Sequence, residues 1–93
     1  MRQAIFLEIV FRNTDFPFAS RDAVEEPLCD ALEEAGVGEV TGGGGGSATC
    51  NIDIELTDLE KGLEVIRRTL RELGCVASTK IHQHQPQHII HSI

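Results

Sequence analysis

The chain has 93 residues, of which 41% are hydrophobic and 25% are charged. This composition is typical of a folded domain with one small core and disfavours wholesale disorder. Fifteen acidic and 8 basic residues give a formal net charge of -7, which disfavours binding to a nucleic-acid backbone. From the lack of a long apolar run and of a small-residue cleavage site, we expect neither a membrane span nor a signal peptide. We therefore predict one domain over residues 1–93 that binds neither nucleic acid nor membrane.

The three cysteines, Cys29, Cys50 and Cys75, are odd in number and lack the CxxC spacing. This pattern favours reduced thiols in a cytoplasmic protein over a disulfide framework. Cys29 is expected in the middle of a helix and Cys75 just after one, so no helix N-terminus lowers the pKa of either thiol. We therefore predict no catalytic cysteine.

The first predicted strand covers residues 3–12, where hydrophobic residues alternate with period two. One face of this strand carries Ile5, Leu7, Ile9 and Phe11. The opposite face carries Ala4, Phe6, Glu8 and Val10. The second face is apolar except for one acid in its middle, which is typical of a sheet face that another element or subunit covers.

The first predicted helix follows Ser20, a favourable N-cap, and has Asp22 in its first turn. Its apolar stripe consists of Val24, Leu28, Leu32 and Ala35. Gly36 is expected to end the helix. Pro27 either kinks a helix that begins near Arg21 or starts a shorter helix. We expect a helix that is broken or delayed at Pro27.

Five consecutive glycines, residues 42–46, separate a short predicted strand at residues 37–41 from a clear one at residues 48–56. A phosphate-binding loop is disfavoured, because it requires a following helix and a Gly-Lys pair. A hairpin connection is the expected role of the glycines. Part of the run is also compatible with an extension of the second strand, whose loosened edge would then accept a partner's strand.

The second predicted helix begins with Thr57 and Glu60, the spacing of a capping box. Its apolar stripe consists of Leu59, Leu63, Ile66, Leu70 and Leu73. Gly74 is expected to end it. A last strand is predicted at residues 79–85, and Pro86 should interrupt it. Residues 87–93 are expected either to form an additional short strand or to serve as a tail exchanged with a partner chain.

The order of strand, helix, strand, strand, helix, strand predicts an α+β fold, the βαββαβ sandwich. Its antiparallel sheet should have the order 4-1-3-2, with both helices on one face and a possible extra C-terminal strand. This order resembles the ferredoxin-like α/β plait. The segments FRNTDF, GEVTGGGGG and NIDIELTDLEKGLEVIRRTLRELG resemble those of small uncharacterised bacterial proteins of that plan. The resemblance implies the fold and carries no activity.

The sheet face without helices is the first candidate site, because its central strand is too apolar to remain exposed to water. The expected interface residues are Ala4, Phe6, Val10, Ile89, Ile90 and Ile93. We therefore expect a small cytoplasmic domain, not an enzyme and without a cofactor, that acts by self-association or by binding a protein partner. A homodimer is the expected assembly.

The alternative function is a regulatory module that binds a metal or a small ligand on the same face. His82 and His84 are its candidate metal ligands, and Glu8, Asp53 and Glu55 are its candidate ligand-binding acids. Imidazoles and carboxylates are suitable ligands for zinc or another divalent ion. The competing interpretation is an ordinary polar surface with cross-strand acid and histidine pairs. Acid-base catalysis by Glu8 and Asp53 is disfavoured, because the sequence supplies no pocket.

Overall fold

A computed structural model describes residues 5–12, 22–45, 49–75, 79–85 and 88–92. In these residues the elements are β1 (Ile5–Arg12), α1 (Asp22–Ala35), β2 (Gly38–Gly45), β3 (Thr49–Leu56), α2 (Leu59–Glu72), β4 (Lys80–Gln85) and β5 (Ile89–Ser92). The strands form one antiparallel sheet in the order β2-β3-β1-β4-β5. The architecture is a ferredoxin-like plait with a fifth strand added beside β4. The predicted α+β fold and strand order are confirmed.

One hydrophobic core lies between the two helices and one face of the sheet. Each strand supplies alternate residues to this core, as the period of two predicts. The buried hydrophobic strand residues are Leu7, Ile9, Phe11, Ile52, Ile54, Leu56 and Ile81. The buried helix residues include Val24, Leu28, Leu32, Leu63, Val65, Ile66 and Leu70. The opposite face of the sheet carries no helix in the described part of the chain.

α1 runs without a break through Pro27, so the prediction that this proline breaks or delays the helix was wrong. Pro27 lies near the start of α1. The carbonyl it leaves without an intrahelical partner belongs to the exposed Ala23, where water can replace the lost bond. Gly36 ends the helix as predicted, with φ of 67°. Ser20 lies outside the described residues.

α2 begins one residue later than the capping prediction. Its N-cap is Asp58, whose carboxylate accepts a 3.0 Å hydrogen bond from the backbone N–H of Lys61. The predicted capping box of Thr57 and Glu60 was therefore wrong. Asp58 has an extended backbone and takes the N-cap position itself, and its carboxylate lies at the N-terminus of α2, where the helix dipole favours an anion. Gly74 follows the helix with φ of 83°, as predicted.

β2 is longer than the predicted strand at residues 37–41, since Gly42–Gly45 belong to it. The glycines pair in register with β3, from Gly42 opposite Asp53 to Gly45 opposite Cys50. A bulge separates this stretch from Val40. β3 is eight residues long, so its backbone offers pairing partners to the glycines, and this pairing outweighs the low strand propensity of glycine. Gly42–Gly45 therefore extend an edge strand, as the sequence allowed for part of the run, and the predicted hairpin connection falls in residues 46–48, outside the described residues.

The C-terminal residues form β5 on the chain's own sheet, where Ile90 pairs with His82 and His91 pairs with Ile81. The additional-strand alternative is thus the one observed in the described residues. A second bulge lies between Phe6 and Leu7, so that β4 contributes one more residue than β1 at this point. Neither α1 nor α2, the helices of the described segments, is long and apolar enough to cross a membrane.

Candidate functional site

The face of the sheet opposite the helices, here called the helix-free face, carries a row of side chains in neighbouring ladder positions. Asp53 lies opposite Glu8, Glu8 lies opposite His82, and His82 lies opposite Ile90. Gly42 of the edge strand completes the row beside Asp53. The row therefore runs from a glycine through two acids and an imidazole to an exposed isoleucine.

Three of the predicted interface residues share the helix-free face. Phe6 and Val10 of β1 are half-buried, and Ile90 of β5 has 58% of its surface exposed. Ile89 pairs with the buried Gln83, so it lies on the helix side of the sheet and not on this face. Ala4 and Ile93 lie outside the described residues. Phe6, Val10 and Ile90 therefore remain as apolar residues of this face, with His82 of β4 between Ile90 and β1.

Acidic side chains cluster on the half of the face formed by β2 and β3, here called the acidic half. Glu8 lies directly opposite Asp53, and Glu39 lies directly opposite Glu55. Like charges at opposed ladder positions destabilise a strand pair. Asn51 holds one of these carboxylates, because its Nδ2 donates a 3.0 Å hydrogen bond to Asp53 Oδ1. The predicted acids Glu8, Asp53 and Glu55 are therefore brought together.

Three histidines gather on the other half of the face, here called the imidazole half. The bulge places His84 over Glu8, and 3.0 Å separates its Nε2 from Glu8 Oε1. The ring centroids of His82 and His84 are 6.2 Å apart, and those of His84 and His88 are 5.5 Å apart. The planes of His84 and His88 differ by 7°. His88, which directly precedes β5, joins the two predicted histidines through its ring contacts with both.

The imidazole half has suitable donor types for a divalent transition metal, namely imidazole nitrogens and a carboxylate. The rings of His82, His84 and His88 are stacked, however, with interplanar angles of 7° to 25°. In the segments that the structure describes, no group of three or more His, Cys, Asp or Glu side chains is arranged to hold a metal ion. Metal binding would therefore require the rings to leave their stacked arrangement.

His91 differs from the other histidines, since its pairing with Ile81 places it on the helix side of the sheet. Its Nε2 donates a 3.0 Å hydrogen bond to Oε1 of Gln83, a side chain that is only 1% exposed. Partial burial lowers the pKa of His91 below its ordinary value of 6.5, and the positive charge of Arg67 lowers it further. The neutral imidazole is therefore the form that the fold favours here.

Cys29 and Cys75 are not activated nucleophiles. All three are thiols. Partial burial raises the pKa of Cys29, and the nearby carboxylate of Glu33, 3.7 Å from the sulfur, raises it further. Burial also raises the pKa of Cys75. Because the thiolate is the nucleophile, both groups are less reactive than an ordinary cysteine at neutral pH.

The fold and the surface together define a class of protein, an α/β plait whose helix-free face, uncovered by any element of the described residues, is acidic on one half and rich in imidazole on the other. The chain matches no protein-family model, no curated protein and no solved structure. The function is therefore inferred from the geometry of the helix-free face.

Proposed function

We propose that this protein is a non-catalytic binding domain that forms a homodimer through the helix-free face. The observation that carries the proposal is the exposure of apolar side chains on that face. Ile90 of β5 is 58% exposed, Phe6 and Val10 of β1 are half-buried, and no described element covers them. Burial of such side chains contributes roughly 25 cal/mol per Å² of apolar surface, so a second copy that covers them gains stability.

The distribution of polar groups on this face favours a second copy of the same chain. The acidic half carries Asp53 and Glu55, whereas the imidazole half carries His82, His84 and Lys80. A two-fold axis parallel to β1 and midway between two facing sheets places each acidic half over the partner's imidazole half. Such an isologous contact is self-complementary. Electrostatic complementarity therefore sets how the two sheets are oriented on each other, and burial of the apolar side chains stabilises the contact.

The size of the face sets the expected strength of the dimer. Five strands spaced about 4.8 Å apart and about 20 Å long give a face of roughly 500 Å². Stable interfaces bury about 800 Å² on each partner. We therefore expect a weak dimer, so the fraction of dimer should rise with protein concentration over the range used in chromatography.

Light scattering coupled to size-exclusion chromatography, over a series of loading concentrations, tests this proposal. The wild-type mass should rise from that of a monomer toward that of a dimer. Phe6→Asp should keep the protein monomeric, because a charge in the centre of the contact would be buried without a partner. Circular dichroism would verify that the variant is folded. A wild-type mass that stays monomeric at every concentration would refute the proposal.

A metal-binding regulatory module is the second candidate, and the third imidazole favours it. His88 adds to His82 and His84 on one face, with Glu8 in contact with the cluster. This donor set is one that zinc accepts. We place this candidate below self-association, because the stacked rings would have to rearrange before they could bind a metal ion.

Zinc titration by calorimetry of tag-removed protein separates the two candidates. If the module binds zinc, His82→Ala/His84→Ala should abolish the binding, whereas His91→Asn on the opposite side of the sheet should retain it. Equal zinc binding by the wild type and by both variants would show that these histidines are not the ligands. Absence of any saturable binding would remove the candidate.

A further inference from the structure

β2 lies at one edge of the sheet and pairs only with β3 in the described part of the chain. In an antiparallel edge strand, alternate residues direct both the backbone N–H and the C=O away from the sheet. Val40 lines a hollow with Cys29 of α1, and the bulge follows Val40, so the regular stretch available for pairing is Gly42–Gly45. Alternate residues of this stretch therefore offer outward backbone groups along the edge.

This stretch lacks the usual obstacles to pairing. Edge strands are commonly protected by charged side chains or proline, whereas Gly42–Gly45 carry no side chains at all. Glycine in a strand permits another backbone to approach closely. Two side chains of β3 lie close to the positions that side chains of Gly42 and Gly44 would occupy. The carboxylate oxygen Oδ2 of Asp53 lies 3.8 Å from the position that a Cβ of Gly42 would occupy, and Oδ1 of Asn51 lies 3.5 Å from the corresponding position of Gly44.

The orientation of Asp53 leaves one acceptor oxygen directed toward the edge. Asn51 Nδ2 holds Oδ1 of Asp53 at 3.0 Å, and Oδ2 is the oxygen that faces Gly42. A strand added beside β2 would lie about 10 Å from β3, two strand spacings away. A lysine or arginine side chain on the added strand is long enough to cross β2 at Gly42, where no side chain stands in its way. A basic residue opposite Gly42 would therefore reach the carboxylate of Asp53.

Further carboxylates flank β2 on both sides of the sheet. A hollow of about 350 Å³ at the start of the strand is lined by Glu33, Gly36, Gly38, Glu39, Glu55 and Thr57. A second hollow, of about 330 Å³, is lined by Asp22, Glu25, Glu26, Cys29 and Val40. Residues 22–45 contain seven acidic residues and no lysine, arginine or histidine. The first half of the edge is therefore negative, and Asp53 adds a carboxylate beside Gly42 where the glycines begin.

This charge distribution decides what can pair with the edge. A second β2 would bring Glu39 and Asp53 of each copy against acids of the same sign, which disfavours edge-to-edge pairing of two copies. A positively charged strand would be attracted to it instead. We propose that the β2 edge binds an extended basic segment of a partner protein, with lysine or arginine at alternate positions, as a sixth strand of the sheet.

This binding mode is β-augmentation, in which the backbone ladder supplies affinity and alternate side chains supply specificity. It does not depend on the proposed homodimer. Asp53 belongs to both surfaces, so a bound basic segment and a facing subunit compete for its carboxylate. Titrations of a basic peptide into wild-type protein and into the Ile90→Asp variant therefore separate the two proposals. Ile90→Asp removes only an apolar contact of the dimer, so this variant should still bind the peptide even where it no longer forms a dimer.

The probe is a seven-residue peptide of alternating lysine and threonine, labelled for fluorescence anisotropy. A matched peptide with glutamate in place of lysine should not bind. Two further versions carry backbone N-methyl groups on every lysine or on every threonine. In a β-ladder one of these two sets of N–H groups faces the edge strand, so one methylated peptide should lose binding. Equal binding of both methylated peptides would show charge attraction without strand pairing and would overturn the proposal.

Three variants localise the binding. Asp53→Asn removes the charge, and its side-chain oxygen can still accept from Asn51, so it should weaken binding roughly fivefold. Gly42→Val places a branched side chain in the path of the lysine and should weaken binding at least about tenfold. Glu60→Gln on α2 makes the same charge change as Asp53→Asn away from the edge and should change binding less than about twofold. Equal losses for Asp53→Asn and Glu60→Gln, or no saturable binding of the lysine peptide, would overturn the proposal.

Discussion

Glu8 on β1 lies directly opposite Asp53 on β3, so two carboxylates occupy opposed ladder positions on the helix-free face. Glu39 and Glu55 repeat the arrangement on the next strand pair. Such opposed like charges cost the isolated sheet stability. A surface that binds positively charged or hydrogen-bond-donating groups benefits from these acids, and both the dimer and the basic segment would supply such groups.

The first prediction concerns the cost of this acidic pair. Asp53→Asn should raise the free energy of unfolding of the monomer by about 0.5 kcal/mol, because it relieves the repulsion from Glu8 and leaves an acceptor for Asn51. Urea denaturation of Asp53→Asn in the monomeric Ile90→Asp background measures this difference. Glu60→Gln, which removes a carboxylate from the first turn of α2, should instead lower stability, because the helix dipole favours an anion there. A lower stability of Asp53→Asn would show that the opposed acids do not repel each other appreciably.

The second prediction separates two glycines of β2 by their surroundings. A Cβ at Gly38 would lie 2.5 Å from the backbone oxygen of Glu55, so Gly38→Ala should cost about 2 kcal/mol of stability. A Cβ at Gly44 would meet only Asn51 Oδ1 at 3.5 Å. Gly44→Ala should raise stability by about 0.5 kcal/mol, because it restricts the unfolded chain. Thermal denaturation of both variants gives the comparison, and equal effects of the two substitutions would be inconsistent with the β2–β3 register.

The third prediction concerns pH. The pKa of His91 is lowered in the folded protein, so the unfolded chain binds a proton more readily than the folded one. The contribution of His91 to stability is thus complete above the ordinary value of 6.5 and decreases as the pH falls below it. Between about pH 7.5 and about pH 5.5, wild-type stability should fall more steeply than that of His91→Gln. Parallel pH profiles of the two proteins would refute this role for His91.

The fourth prediction concerns the cysteine thiols. Because their pKa values are raised, Cys29 and Cys75 should react with iodoacetamide at neutral pH more slowly than glutathione does. Mass spectrometry of peptides from a time course assigns the rate to each position. Protein unfolded in urea serves as the control, since both sites should then react at the rate of an ordinary thiol. Faster alkylation of Cys29 in the folded protein than in the unfolded chain would contradict the assignment.

Local sequence patterns predicted the elements and their order well. The period of two in β1 and β3 and the apolar stripe of α2 follow directly from which residues the core buries. Pro27 was misjudged because its effect depends on where the helix begins, and the described helix places it near the exposed start. The cap of α2 depends on the backbone dihedrals of Asp58, which propensity alone does not specify.

The candidate site was less predictable, because it depends on the pairing of distant residues. Alternation correctly placed His82 on the face of Glu8, but the bulge that brings His84 to Glu8 has no local sequence signal. The same pairing places Ile90 on the helix-free face and Ile89 on the other side. A shift of β5 by one residue would exchange these two side chains.

That register provides the most direct test of the central claim, self-association through the helix-free face. Light scattering should show that Ile90→Asp remains monomeric at concentrations where the wild type forms a dimer. Ile89→Asp introduces the same charge at the neighbouring exposed isoleucine on the helix side, and it should form a dimer like the wild type. Equal dimerisation of the two variants, or a wild-type protein that is monomeric throughout, would contradict the account.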